Sequence, residues 1–298
     1  MRARPVHVTT LCNDANAAVF AEVIELVMHG LRHAGVEASH APRAVRADAL
    51  NLIFAAHRLP PEQVDGLAPD RVIVNLEQVC ANDVWPHISP AYPTLLQTSA
   101  VVDYSERNRE WLRTHLGVEA ELLTLGHAPE LERIPRAADQ DIDVLFYGKV
   151  TPRRDAVLRA IAAAGLRVAV IAGKPLLYGD YRDQAIARSR VVLNLHAHDT
   201  HIFEQVRVNY LLINGKAVVC EVAPDTEIPD AYRALVEPAF ETAPIVERCV
   251  ALARNEAVRR AREEAAREGM RTLPQSALLE RIACLAPAFG RSAAVGAN

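Results

Sequence analysis

The strongest constraint on this chain is a change of hydrophobic period that recurs along it. Short runs of consecutive apolar residues alternate with longer segments whose apolar residues return every three or four positions. A run that is apolar throughout must be buried on both faces, as strands of a parallel sheet are, and the amphipathic segments are the helices that cover them. Val6 to Leu11 reads as the first strand. Ala15 to Ala34 places Val19, Phe20, Val23, Ile24, Leu26, Val27 and Leu31 at helical spacing before Gly35 ends it. Ala49 to Ala55, Arg71 to Asn75 and Leu95 to Val102 read as further strands, Ser105 to Leu116 as a capped helix closed by Gly117, and Val118 to Leu125 as another strand.

The pattern is interrupted at Gly126-His127-Ala128-Pro129 and the polar stretch Glu130 to Gln140, which has a linker's composition. It then resumes, with strands at Asp143 to Tyr147, Arg167 to Ala172, Val191 to His196 and Ala217 to Cys220. Helices at Arg154 to Ala164, Tyr181 to Ser189 and Phe203 to Asn214 separate them. A charged helix from Thr242 to Met270 and a short amphipathic one from Gln275 to Leu285 follow. The expected fold is α/β, with two Rossmann-like domains facing a cleft: residues 1–128, then 141–270. Residues 271–289 are expected as a C-terminal helix packing back on the first domain, and 290–298 as a disordered tail. A chain of 298 residues has room for two domains at roughly 150 each.

Composition removes several classes of function. Lys and Arg total 33 against 37 Asp and Glu, a net charge of −4, which is too balanced for a general phosphate-backbone binder. No nucleic-acid partner is expected. No apolar stretch approaches the roughly 20 residues of a membrane span, and the start lacks a signal peptide's apolar core, so the expected location is cytoplasmic. Five cysteines without a C-x-x-C pair argue against a disulfide framework or structural zinc site and read as buried thiols.

Ligands of open parallel sheets bind beyond the carboxyl ends of the strands, which ranks the candidate residues. After the strand ending at Tyr147 comes Gly148-Lys149-Val150-Thr151-Pro152-Arg153-Arg154, a glycine turn with three cations entering a helix N-terminus. Backbone N–H groups, the helix dipole and the cations all favour an anion there; the alternative is a solvated basic turn. Gly173-Lys174-Pro175 repeats the theme more weakly. His196, His198, Asp199 and His201 form either a metal cluster or a polar loop, and their spacing matches no zinc pattern. Glu204 opens a helix, where a carboxylate either stabilises the N-terminus or accepts hydrogen bonds from sugar hydroxyls. In the first half, Glu77 and Asp103 lie just beyond or at strand ends and are candidate acceptor contacts or general bases, with Glu77 ranked first. Ser105 is a ready helix cap, and His29 and His33 line a helix surface. Asp141-Ile-Asp143 has a metal-binding spacing but precedes its strand, on the edge away from the ligand crevice. The chain has neither G-x-G-x-x-G after its first strand nor a P-loop.

The segment Glu204-Gln-Val-Arg207-Val-Asn-Tyr-Leu-Leu212-Ile-Asn-Gly215-Lys216-Ala-Val218-Val219-Cys-Glu221 resembles the donor-site segment of GT-B glycosyltransferases, particularly group-1-like C-terminal domains. The preceding Val-Val-Leu-Asn-Leu-His and the earlier Asp143-Val-Leu-Phe-Tyr-Gly148 with its Arg pair extend the resemblance over about residues 141 to 225. The resemblance implies transfer of a sugar from a nucleotide-diphosphate donor to an unknown acceptor held by the N-terminal domain. It implies diphosphate contacts from Gly148, Lys149 and Arg153 and a ribose contact from Glu204; Lys174, His196 and Arg207 are expected beside them in the donor-binding set. The expectation is a metal-independent enzyme without a cofactor, using Glu77 or Asp103 as base. Leu212 stands where that group's second glutamate, eight residues after the first, is found, which leaves the stereochemical course open. A nucleotide-sugar epimerase of the same fold and a non-catalytic nucleotide- or sugar-binding protein are the alternatives.

Overall fold

A computed structural model describes residues 3–12, 18–64, 66–173 and 177–290. The chain forms two compact units: one takes the chain up to Ala128 together with the segment beginning at Pro274, and the other takes Pro129–Leu273.

The first unit is a parallel sheet of six strands: β1 (Val6–Thr10), β2 (Ala38–His40), β3 (Leu50–Phe54), β4 (Arg71–Asn75), β5 (Ala100–Asp103) and β6 (Ala120–Leu122). Their order is β2-β1-β3-β4-β5-β6. The second is a parallel sheet of five: β7 (Ile142–Tyr147), β8 (Val168–Ile171), β9 (Ser189–Asn194), β10 (Ala217–Glu221) and β11 (Glu237–Ala239), ordered β11-β10-β9-β7-β8. In each unit the chain steps from its first strand to an outer neighbour and returns on the other side. The topological switch points therefore lie at the carboxyl ends of β1 and β3 and of β7 and β9.

Every residue of β1, β3, β7 and β10 is buried, so both faces of these strands are covered. In the first unit Ile73, Tyr92, Leu95, Leu96, Val101 and Leu112 share one core; in the second Val144, Phe146, Leu158, Ile161, Val191 and Leu193 share another. Each such side chain, fully buried, contributes roughly 1.5–3 kcal/mol. Local signals set the helix ends. Ser105 Oγ accepts from Asn108 N–H at the start of helix Glu106–Leu116, and Gly117 ends it at φ +66°. Thr151 caps helix Pro152–Ala163 through Arg154 N–H. Helix Gln275–Leu279 packs on helix Ala21–His33 at Gly30. A Cβ at Gly30 would stand 2.7 Å from Gln275 Cγ and 2.9 Å from Leu279 Cδ1, so only glycine admits the contact.

Several boundaries differ from those read in the sequence. Leu95 to Val102 is not one strand. Helix Tyr92–Gln97 precedes β5, and its Leu95 and Leu96 enter the core, as a short apolar run does equally well in either conformation. Thr242 to Met270 is two helices, Thr242–Arg254 and Glu256–Arg271, because Asn255 turns extended and its side chain caps Val258 N–H. Strands β2 and β11 and helices Pro61–Val64 and Asp230–Arg233 are too short to show a period. The first residues of the expected helix from Ala15, and residues 291–298 of the expected tail, lie outside the described residues. Cys12, Cys220 and Cys249 are buried, whereas Cys80 and Cys284 are half-buried. No helix among the described residues is long and apolar enough to cross a membrane.

Candidate functional site

The carboxyl ends of β7, β9 and β10 carry a lattice of arginines and carboxylates. Gly148, directly after β7, has φ +144°, a conformation that disfavours a side chain. A Cβ there would lie 3.4 and 3.5 Å from the two terminal nitrogens of Arg207, so the glycine lets that guanidinium close on the backbone. Lys149 is exposed, and its carbonyl accepts from Arg154 Nη1 at 2.8 Å. Arg154 itself is 2% exposed. Its Nε donates to His196 O at 3.1 Å, Nη2 donates to Leu195 O, and its guanidinium lies 5.4 Å over the Phe146 ring. Arg153 is half-exposed. It donates to His196 O at 2.6 Å and pairs with Glu221, whose other oxygen accepts from His196 N–H at 2.8 Å. The two adjacent arginines thus tie the exit of β7 to the exits of β9 and β10.

Glu204 sits at the N-terminus of helix Gln205–Ile213 but makes no capping hydrogen bond. Its carboxylate reaches back instead. Oε1 accepts from Ala197 N–H at 3.0 Å and lies 3.6 Å from Arg154, while Oε2 lies 3.3 Å from Arg207. One largely buried acid therefore orients two cations from different elements. Arg207 also lies 5.2 Å over the Tyr147 ring, and its Nη1 is buried with the Glu204 carboxylate at 3.3 Å as its ion-pair partner. His196 is 2% exposed; burial holds its ring below the usual histidine range, so the imidazole is neutral at pH 7. Its Nε2 shares a 3.2 Å hydrogen bond with Thr226 Oγ1, and Nδ1 is buried without a partner. Asn194, at the end of β9, is fully buried with both amide atoms unpartnered. These orphaned polar atoms surround the β7/β9 switch point.

Of the expected donor set, Gly148, Lys149, Arg153, His196, Glu204 and Arg207 come together here. Lys174 lies outside the described residues. Sequence reading gave no separate role to Arg154, Glu221, Thr226 or Asn194. Position at or near a strand's carboxyl end was the available signal for Glu221 and Asn194; nothing local marks Arg154 as buried. His201 pairs with Asp225 at 2.9 Å, and no group of three or more His, Cys, Asp or Glu among the described residues is placed to hold a metal. Asp141 pairs with Arg188, and Asp143 with Arg167 and Arg190, at the amino end of β7.

In the first unit Glu77 and Asp103 have different surroundings. Glu77 is about a third exposed, and its Oε1 lies 3.4 Å from Nε2 of His57, a buried ring that sequence reading did not single out. Burial pushes the His57 pKa down, and Arg58 Nε donates to its Nε2 at 3.3 Å, as a neutral imidazole allows. The turn leading to His57 places Ala55 at φ +57°, a strained conformation for a residue with a Cβ. Asp103 has no exposed surface. Its oxygens accept from Asn75 Nδ2 at 2.5 Å, Ser105 N–H at 2.8 Å and Asn108 Nδ2 at 3.1 Å, and Tyr92 O–H donates to Asn75 Oδ1 at 2.9 Å. Burial outweighs these bonds and raises the Asp103 carboxyl to about 7. Asn75 and Asn108 both donate to Glu77 O, so the Asp103 network holds the backbone that presents Glu77.

No protein-family model matches the chain. Over 95 residues it is 29% identical to an uncharacterised protein, L138, of Acanthamoeba polyphaga mimivirus, a match covering 32% of this chain and 10% of the viral protein. Solved structures align over nearly its whole length. An alpha-glucosyltransferase in complex with UDP and a 13-mer DNA superposes with a TM-score of 0.59 at 9% identity, over 93% of this chain and 97% of its own. T4 phage BGT with UDP and Mn2+ gives 0.56 at 9% identity, over 90% and 95%. WaaG, a glycosyltransferase of lipopolysaccharide biosynthesis, gives 0.56 at 10% identity, over 92% and 98%. The fold is that of the GT-B glycosyltransferases. At these identities the likeness concerns the fold, with its two parallel-sheet domains.

Proposed function

We propose that the protein is a glycosyltransferase that moves a sugar from a nucleoside-diphosphate donor, bound by the second unit, to an acceptor bound by the first. The observation that carries this reading is the charge at the β7/β9/β10 edge. Arg153, Arg154 and Arg207 pair with Glu204 and Glu221, with exposed Lys149 on the same turn, an excess of two positive charges, and both acids are engaged in orienting arginines. Such an edge complements a diphosphate without help from a metal, and the neighbours' complexes with UDP support the same ligand class. Arg153, Arg207 and Lys149 take the phosphates and stabilise the charge that develops on the leaving nucleoside diphosphate. Glu204 has lone pairs left for ribose hydroxyls. Glu77, partly exposed beside a neutral His57, serves as the base that takes the acceptor's proton, while Asp103 acts through the backbone of Glu77.

Thermal unfolding against a panel of nucleoside diphosphates and nucleotide sugars tests the reading. A donor at a hundred times its Kd adds about 2.7 kcal/mol. Arg207→Ala and Arg153→Ala should each weaken binding of that nucleotide about tenfold or more, the worth of a charge-assisted contact. Binding and turnover should persist in EDTA. Glu77→Gln should lower turnover and leave donor affinity unchanged. A chain that binds no nucleoside diphosphate, or binds one equally well without Arg207 and Arg153, overturns the proposal.

A further inference from the structure

The amino-terminal edge of the second sheet, away from the donor residues, holds a cleft of about 390 Å³. Arg136, Arg190, Arg259 and Arg260 line it, opposed by Asp139 and Glu256. Gln140, also on its wall, precedes β7, and Arg190 is the second residue of β9, so the cleft opens at the opposite strand ends from Gly148 and His196. Apart from Ala137 and Ala138, every side chain lining it is polar. That lining offers nothing to an acyl chain.

The cations here are only partly satisfied by the protein. Arg136 donates to Gln140 Oε1 at 2.9 Å, but its approaches to Glu256 and Glu263 are both 3.5 Å, the far limit of a hydrogen bond. Arg260 is held by Glu256 at 3.1 Å, and Arg190 by Asp143 at 2.7 Å. Arg259 is 3% exposed. Its Nη1 donates to the carbonyls of Leu252 and Ala253, closing the end of the preceding helix, while its Nε is buried with no hydrogen-bond partner and stands 3.7 Å from Glu263. Burial, with smaller contributions from Arg259 and Arg267 and against the pull of Glu263, lowers the ammonium of nearby Lys216 to about 8.

We propose that this cleft binds a small phosphate anion, inorganic phosphate or pyrophosphate, as a site separate from the donor edge. Four arginines lining a recess without apolar walls match a compact oxyanion, which offers several acceptors to forked donors that the 3.5 Å approaches of Arg136 to Glu256 and Glu263 leave poorly filled. The recess has room for a pyrophosphate with its hydration water, and a lipid tail would find no apolar wall in it. The plain alternative is an ion-pair ladder that fastens residues 136–140 to helix Glu256–Arg271.

Calorimetry on the full chain separates the two. Pyrophosphate is titrated in the presence of saturating UDP, so that the donor edge is blocked if it binds nucleotide, into the wild type, Arg136→Ala, Arg136→Glu and Arg207→Ala. The expected result is one pyrophosphate per chain, with affinity reduced at least threefold by Arg136→Ala and tenfold or more by Arg136→Glu and unchanged by Arg207→Ala. UDP binding alone should show the reverse pattern. No heat with pyrophosphate, or equal affinity in wild type and Arg136→Glu, overturns the site; a melting temperature that falls in Arg136→Glu without any anion effect identifies the ladder. If UDP fails to bind at all, the donor reading fails, and pyrophosphate binding that survives Arg207→Ala but not Arg136→Glu still supports the cleft.

Discussion

The two units follow the same winding, with the first strand flanked by the second and third, yet their carboxyl edges hold buried carboxyls in opposite ways. In the first unit Asp103 is enclosed by amides: Asn75, Asn108 and the Ser105 N–H. In the second, Glu204 and Glu221 are enclosed by guanidiniums. Neutral donors do not balance the loss of solvent, so the Asp103 carboxyl rises to about 7 and its network is a rivet that titrates. The ion-paired acids instead set the positions of cations. A parallel sheet supplies the location of a site, and the partners of its buried acids decide whether that location holds backbone or binds an anion.

The comparison breaks most visibly at Arg154. Arg154→Ala removes the donor to three carbonyls and leaves Glu204 short of a partner in a buried place, so unfolding in urea should show a loss of roughly 3–5 kcal/mol. Arg154→Lys should recover little of it, since one ammonium cannot span the same acceptors. A loss under about 1 kcal/mol would mean that the lattice is not held by this residue.

Asp103 sharpens the contrast through pH. Its folded value near 7 lies above the ordinary 3.8, so the stability associated with its protonated form is complete below about 3.8, declines as pH rises and is gone above about 7. Unfolding free energy should fall across that window by as much as about 4 kcal/mol from this group. Asp103→Asn should flatten that part of the profile; an unchanged slope would show that Asp103 ionises normally.

Gly148→Ala should cost about 1–3 kcal/mol for the strained backbone and, by displacing Arg207, also weaken nucleotide binding. Affinity equal to wild type would separate Arg207 from the glycine turn. The smallest stability effect is expected at exposed Lys149. Lys149→Ala should change stability by less than about 0.5 kcal/mol while lowering UDP affinity several-fold at low salt, a difference that should vanish near 1 M salt, where the screening length is about 3 Å.

The alternation of the longer strands and helices, the Ser105 cap, the Gly117 stop and the cations after β7 were legible in the residues, because each depends on neighbours within a few positions. The Asn255 cap went unread because the helical period continues on both sides of it. Tertiary structure alone decided that Arg154 is buried and Lys149 is not, that Glu204 turns away from its own helix to bind Ala197 N–H, and that Asp103 is sealed among side chains from β4 and helix Glu106–Leu116. It likewise set His57 beside Glu77 across 20 residues and gathered four arginines at the amino edge of the second sheet. The physical reason is the same in each case. Local spacing specifies which face of an element a side chain occupies, whereas burial, pairing and pKa depend on which distant element covers that face.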